Sequence, residues 1–350
     1  MIKIISIVGT RPQFLKLAPL CRQIKNFPQI IHVIIHTGQH YDDEMSKDLF
    51  ETLDITKPNY LLNINNGTHA EITGKMMIEI EKILITENPN FVLVYGDCDT
   101  TLAGALVAKK LEIKLVHVES GLRSFNKSMP EEINRVVTDH LSDILLCPTY
   151  YAIQNLKKVN ITNNVYYVGN LQLELLKMCL ENYHNISILT NNNLTNNYIL
   201  LTIHRHYNTT IEKIKQIFYE LSHIETKIIF PIHPRTKKLI NDNNITIPNN
   251  IKLINPVNYL DMVILQKNCQ YIITDSGGIQ PEAWYLGKKC IVLRNETEWL
   301  DEINNNNNKL FNISTDTNII KFINDFLSEK SKDYVYDGSA SLKILEILLK

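Results

Sequence analysis

Acids, cations and bare glycines recur in this sequence directly after short apolar runs, where a parallel sheet delivers side chains to a ligand. The run Phe91–Tyr95 ends in Gly96-Asp97-Cys98-Asp99-Thr100-Thr101, and Leu115–Val118 ends in Glu119-Ser120-Gly121-Leu122-Arg123. Two carboxylates, Asp97 and Glu119, thus arrive at adjacent strand ends. An acid in that position is exposed in a cleft or paired, and two such acids can remove and deliver protons. Pro130-Glu131-Glu132 supplies a third group at a helix start, where the dipole favours acids in any case. For Glu132 capping is the stronger reading, and Asp99 is placed to be an N-cap.

Cations follow the same rule. The run Ile2–Val8 leads into Gly9-Thr10-Arg11-Pro12, with Lys16 about one turn into the next helix, a place where an anion can meet backbone and charge together. There is no G-x-G-x-x-G, which counts against a dinucleotide cofactor. In the second half, Tyr198–Thr202 runs into Ile203-His204-Arg205, and Phe230-Pro231-Ile232-His233-Pro234-Arg235 repeats the pattern. A purely structural histidine fits either place. The most specific segment is Thr274-Asp275-Ser276-Gly277-Gly278-Ile279-Gln280-Pro281-Glu282-Ala283. Ser276, Gly277 and Gly278 offer a hydroxyl and bare N–H groups to a diphosphate, and Glu282 could accept both ribose hydroxyls or simply cap the helix.

These groups need elements to hold them. Short β-branched runs alternate with helix-length segments, which predicts parallel sheets covered on both faces. Ile2–Val8, Val33–Thr37, Phe91–Tyr95, Leu115–Val118 and Ile144–Cys147 read as strands, with helices at Pro12–Ile24, Thr100–Leu111 and Pro130–Leu141. A second series follows Tyr166–Val168: Tyr198–Thr202, Lys227–Pro231, Ile251–Ile254, Tyr271–Thr274 and Cys290–Leu293. At 350 residues two domains are expected. They are placed at 1–168 and 169–336, each Rossmann-like and doubly wound, with a helix in 337–350 returning to the first. The Asn-rich stretches 191–197 and 304–308 read as surface loops.

Composition narrows the partners. With 44% hydrophobic and 21% charged residues the chain is globular, and a formal net charge of -1 provides no basic field for nucleic acid or anionic lipid. Six scattered cysteines without a CxxC pair suggest neither a zinc site nor a disulfide framework, and no metal-ligand spacing is visible. The first apolar run is too short for a secretory core, and none approaches the roughly 20 residues of a membrane span. A cytoplasmic enzyme with a small anionic ligand is expected.

Taken in order, these segments resemble the non-hydrolysing UDP-N-acetylglucosamine 2-epimerase family across nearly the whole chain. The resemblance is carried by Gly9–Lys16, Thr37-Gly38-Gln39-His40, Gly96-Asp97, His117–Arg123, Pro130–Arg135, His204-Arg205 and Asp275–Ala283. Gly-Thr-Arg-Pro-Gln-Phe, Ser124-Phe125-Asn126 and Thr297-Glu298-Trp299 look closest to a branch with epimerases of UDP-2,3-diacetamido-glucuronic acid. The resemblance implies a glycosyltransferase-B-like fold with the active site in the interdomain cleft, no metal and no cofactor, a homodimer, and work on precursors of cell-surface polysaccharide.

The chemistry it implies starts from a C2 hydrogen that lacks an adjacent carbonyl. Family members eliminate UDP across C1–C2 to a 2-acetamidoglucal and add it back from the other face. On that resemblance Asp97, Glu119 and Glu131 are the proton-transfer carboxylates and His204 stabilises the leaving phosphate. Arg11, Lys16, Gln39, His40, Arg123, Arg135, Arg205 and His233 meet UDP or sugar, while Ser276, Gly277, Gly278 and Glu282 hold the nucleotide. Four positions depart from the pattern: Tyr207 stands for a glutamate, Trp299 for an arginine, Asp42 for a glutamine of an allosteric UDP-sugar site, and Ser120 for an alanine, a small-for-small change. A UDP-sugar glycosyltransferase on the same fold, a hydrolysing 2-epimerase and a non-enzymatic UDP-sugar sensor remain the alternatives. The sugar is left open among UDP-GlcNAc/UDP-ManNAc, a 3-acetamido uronic derivative and a 6-deoxy-L-hexosamine.

Overall fold

The computed structural model describes residues 1–39, 49–316, 318–336 and 338–350; His40 and Asp42 lie outside the described residues. The chain divides into a first unit, Met1–Leu175 with Asp337–Lys350, and a second, Leu176–Tyr336. The division falls inside the helix Leu171–Asn182, beyond the 168/169 boundary expected from strand rhythm, because that helix carries the chain onward with Leu171, Leu173, Leu175 and Leu176 buried along it.

In the first unit, β1 (Ile2–Val8), β2 (Ile30–His36), β3 (Tyr60–Leu61), β4 (Phe91–Tyr95), β5 (Lys114–Val118), β6 (Ile144–Cys147) and β7 (Val165–Tyr167) form one parallel sheet. Its order is β3-β2-β1-β4-β5-β6-β7. The chain winds one way from β1 and then jumps to β4 on the other side, so the carboxyl ends of β1 and β4 flank the switch point where open sheets receive ligands. The apolar strand residues that suit a pleated surface are buried almost throughout, as both faces of a parallel sheet require.

The second unit repeats the design with β8 (Ile199–Thr202), β9 (Ile228–Pro231), β10 (Ile251–Ile254), β11 (Ile272–Thr274), β12 (Cys290–Val292) and β13 (Asn308–Leu310). The order β10-β9-β8-β11-β12-β13 puts its switch point between β8 and β11. Alternation along the strands splits the core in two. Ile199, Leu201, Phe230, Ile273 and Ile291 join one apolar cluster, while Leu200, Ile229, Ile272, Cys290 and Val292 join the other. Each fully buried Ile or Leu contributes about 2 kcal/mol on transfer grounds.

Asn304–Asn308 is not a plain surface loop. Asn308 begins the edge strand β13, and Asn307 and Asn308 are buried, donating side-chain N–H groups to the carbonyls of Lys288 and Gln280 at 2.9 and 3.3 Å. The amides tie the start of the edge strand to the backbone before β12 and to the helix Ile279–Tyr285. At the other end of the chain, the helix Ala340–Leu348 packs on the helix Arg11–Ile24. Glu174 secures its start, accepting from Ser339 Oγ, Ser341 N and Ser341 Oγ at 2.6 to 2.9 Å.

One group sits poorly in this core. Glu302, on the short helix Leu300–Asn304, is buried with Oε2 lacking a partner among the described residues. Burial, reinforced by Asp301 and Glu298, pushes its carboxyl from the ordinary 4.5 up to about 8. A raised native value stabilises below the unfolded value and loses that contribution as pH climbs through the native one. Wild-type stability should therefore fall between about pH 4.5 and 8 by a contribution on the order of a few kcal/mol that Glu302→Gln abolishes. Parallel thermal melts of the two chains across that range test it; identical pH slopes would show the carboxyl to be hydrated.

Candidate active site

In the first unit the expected acids do converge with the expected cations. Lys16, from the helix after β1, reaches across the switch point to Glu119, just beyond β5, with Nζ 2.8 Å from Oε1 and both side chains nearly buried. Glu119 has φ +72°, a left-handed backbone that costs a glutamate of order 1–3 kcal/mol. Gly96 makes room for the pair: it turns with φ +63°, and a Cβ there would lie 3.3 Å from Glu119 Oε1 and 3.5 Å from Lys16 Nζ. Burial raises the Glu119 carboxyl above the ordinary range; Asp97 adds to that, and Lys16 and Arg135 oppose it without cancelling it. The result is a carboxyl that keeps its proton more readily than a surface glutamate.

Asp97 is one-third exposed and ion-paired to Arg135. Arg135 also donates to Glu132 Oε2 at 3.1 Å. Glu132 is not a helix cap. The helix Pro130–Leu141 turns it inward, where it accepts from Ser124 N, Ser124 Oγ and Phe125 N at 2.9, 3.0 and 3.1 Å and pins the preceding loop. Asp99 is likewise the first residue of the helix Asp99–Lys110 and not its cap, which is Cys98. Its carboxylate accepts from His69 Nδ1 at 2.8 Å, Gln39 Nε2 at 3.3 Å and Asn134 Nδ2 at 3.3 Å. Gln39 Oε1 in turn accepts from Thr100 N and Oγ1, so the residue after β2 is tied to the strand-end turn of β4. Glu131 and Arg11 are half-buried at the starts of their helices.

A group that sequence reading did not single out underlies these positions. Asp139 is fully buried, with Oδ1 2.7 Å from His117 Nδ1 and Oδ2 2.6 Å from Arg123 Nη1, and it accepts from Gly121 N at 3.1 Å. His117 Nε2 lies 2.8 Å from the Gly96 carbonyl, so its two ring nitrogens face two acceptors. Burial alone would raise Asp139, but His117 and Arg123 outweigh it and hold its carboxyl below the usual range. Arg123, expected at the ligand, is buried and paired through Nη1 with Asp139, while its Nη2 has no partner among the described residues. The sequence did contain a signal. Positions 132, 135 and 139 recur at helical spacing, which makes the inward stripe of this helix charged where an ordinary helix is apolar.

The second unit uses the same device. Asp275, fully buried after β11, accepts from His204 N at 3.0 Å, Arg205 N at 2.9 Å and Asn208 Nδ2 at 3.2 Å, and so clamps the turn after β8 to its neighbour. His204 is half exposed, with Nδ1 3.4 Å from Asp275 Oδ1. Ser276, Gly277 and Gly278 follow, partly exposed, ahead of the helix Ile279–Tyr285. Arg294 and Glu298 pair beside them at 2.9 Å. Trp299 is buried, and the Tyr207 phenol is raised chiefly by burial. Glu282, expected at a ribose, accepts from Tyr259 Oη at 2.8 Å and Gln266 Nε2 at 2.7 Å while buried. His233 caps the helix Pro234–Asp242, accepting from Arg235 N at 3.2 Å. Among the described residues no three His, Cys, Asp or Glu side chains stand as a metal-holding group, and no helix is long and apolar enough to cross a membrane.

Comparison with known proteins places the chain in a family. Residues 22–349 match the family model for UDP-N-acetylglucosamine 2-epimerase. The chain belongs to that family. A UDP-N-acetylglucosamine 2-epimerase homolog of Methanococcus maripaludis is 46% identical, over 99% of both chains. The UDP-2,3-diacetamido-2,3-dideoxy-D-glucuronate 2-epimerase of Pseudomonas aeruginosa is 38% identical, also over 99% of each. Among solved structures, the UDP-GlcNAc 2-epimerase of Methanocaldococcus jannaschii, crystallised with UDP-GlcNAc and UDP, superposes with a TM-score of 0.89 at 42% identity over 99% of both chains. The fold of the family, α/β with two parallel sheets, is the one seen here.

Lys16 lowers the Glu119 carboxyl through charge and a hydrogen bond. Its removal should move that group further up. A 13C-carboxyl NMR titration of Glu119 in wild type and Lys16→Met is expected to give a higher midpoint in the variant; an unchanged or lower midpoint would mean that the two side chains do not meet in solution.

Proposed function

We propose that the chain is an epimerase inverting C2 of a UDP-linked 2-acetamido sugar by elimination of UDP and its re-addition. The observation that carries this reading is the Lys16–Glu119 pair set beside Asp97–Arg135 at adjacent strand ends. One carboxyl is biased toward its protonated form, and the other is held against a guanidinium; a reaction that takes a proton from one face and returns it to the other needs both kinds of group.

In the forward step a carboxylate takes the C2 proton. The C–H electrons form the C1–C2 double bond as the C1–O bond breaks, and UDP leaves with its pair. Re-addition reverses each movement, with a proton delivered to the opposite face of C2. Asp97 serves as base and Glu119 as acid, Lys16 balancing the charge once Glu119 has given up its proton. Glu131, near the same helix start as the Glu132 clamp, is the third participant in proton transfer. His204 and Arg205, presented by the Asp275 clamp, stabilise the negative charge of the departing diphosphate. Ser276, Gly277 and Gly278 bind that diphosphate, and Glu282, oriented by Tyr259 and Gln266, accepts the ribose hydroxyls. His40, outside the described residues, and Gln39 belong to the sugar side, as does Arg11.

The 3-acetamido uronic sugar is the first substrate to try, beside UDP-GlcNAc and a 6-deoxy-L-hexosamine; the Pseudomonas relative named for the uronic compound is similar over its full length. The enzyme works in the cytoplasm as a homodimer, supplying an activated sugar to a polysaccharide-building transferase. Turnover in D2O is expected to place deuterium at C2 of the product. Glu119→Gln and Asp97→Asn should each lower kcat by roughly 10²-fold or more with UDP affinity near wild type. NMR of product formed in D2O decides the mechanism: original hydrogen alone at C2 would exclude elimination. A glycoside formed on adding an acceptor alcohol would instead make the chain a transferase.

A further inference from the structure

Arg294, which follows β12, is the largest of the fully buried side chains. A guanidinium carries five N–H donors, and a buried donor left without an acceptor costs about 1–3 kcal/mol. Here Nη2 donates to Glu298 Oε2 at 2.9 Å, while Nε and Nη1 have no partner among the described residues. Buried polar groups are as a rule satisfied, so orphans on a buried cation point to something that completes them.

The direction in which it is open is given by Gly277. A Cβ at that position would lie 3.8 Å from Arg294 Nη1 and 3.7 Å from Arg205 Nη2, and only 2.7 Å from Glu298 Oε1. Gly277 is absent from the glycines with left-handed φ, so the backbone does not call for glycine; the space does. Two guanidinium groups and one carboxylate therefore meet over a bare α-carbon, and that carboxylate pairs with Arg294 Nη2 without supplying an acceptor for Nε or Nη1. A planar guanidinium fork matches a phosphate, and an exposed peptide on Gly277 lets an oxyanion come within reach of both.

We infer that Arg294 is a direct ligand of the substrate's diphosphate, met across Gly277, and that Glu298 is its counter-ion while no nucleotide is bound. The inference rests on the reading of this chain as acting on a UDP-sugar. It makes Arg294 a catalytic residue, since the charge on the diphosphate grows as the C1–O bond breaks. It also explains why a carboxylate stands so close to a glycine otherwise suited to anions: Glu298 keeps the buried guanidinium neutralised and aimed until phosphate takes over part of that task.

Isothermal titration of Arg294→Met, Arg294→Lys and Gly277→Ala with UDP, uridine and inorganic pyrophosphate tests it, with circular dichroism and thermal melts to follow folding. Loss of a charge-assisted phosphate contact should weaken UDP by about 10- to 100-fold in Arg294→Met while leaving uridine within about twofold of wild type. Arg294→Lys should lose less, retaining charge without the fork, and Gly277→Ala should show the same selectivity as Arg294→Met. Should Arg294→Met fail to fold, the lysine and alanine variants give the same contrast. Pyrophosphate that binds wild type as tightly as UDP would mean an inorganic-anion site and overturn the nucleotide assignment. Equal loss for UDP and uridine, or no loss for UDP, would overturn the role of Arg294. Failure of the epimerase reading is separate: a chain that binds UDP through Arg294 yet turns over no UDP-2-acetamido sugar keeps the inference and loses the reading, whereas a wild type that does not bind UDP loses both.

Discussion

Asp139 has no contact with water, and nearly everything chemical in the first unit is fixed by what it does instead. Its two oxygens hold His117, Arg123 and the Gly121 amide, and through His117 they reach the carbonyl of Gly96, one residue before Asp97. Two strand-end turns that each carry an acid are thereby joined to one helix. A buried carboxylate of this kind is tolerable only when several charged or dipolar donors surround it; removing any one would strand the rest. The second unit reaches the same end through Asp275, which holds the turn after β8 against the turn after β11. In both cases the aspartate lies at or beside the sheet's switch point, so topology chooses where the ligand groups stand and a hidden carboxylate decides how firmly.

Much of this was legible beforehand, for a physical reason. Parallel strands buried on both faces must be continuous apolar runs, so Ile2–Val8, Phe91–Tyr95, Ile144–Cys147 and Ile251–Ile254 announce themselves with their ends intact. Strand ends then locate the candidate groups, and Asp97, Glu119, Lys16 and His204 stand out that way. Their pairings were not legible, because partners such as Arg135 and Asp139 lie on a helix whose inward face is polar and so hides from a search for apolar periodicity. Arg123 shows the same gap: the sequence marks an arginine beside a strand end and gives no sign of the buried counter-ion it pairs with. Glu132 and Asp99 were misjudged because acids in a first helical turn usually face solvent, whereas these two accept hydrogen bonds from other parts of the chain.

Asparagine-rich sequence misled for a related reason. Asn307 and Asn308 look like loop residues by composition, yet their amides bond the carbonyls of Lys288, before β12, and of Gln280, in the helix Ile279–Tyr285. A side chain that can donate twice and accept twice is as useful at a sheet edge as in a turn, and only the surrounding backbone tells which use is made of it.

The left-handed backbone of Glu119 has an evolutionary consequence. Glycine at that position would relieve the dihedral strain and spare a carboxylate from burial, so random drift is drawn toward it whenever selection for turnover relaxes. On the role proposed for Glu119, lineages that abandoned the reaction should carry that exchange early, gaining robustness in the fold at the moment they lose the acid. On that proposed role, the residue that occupies this left-handed position records whether the chain is still under pressure to keep a carboxylate there.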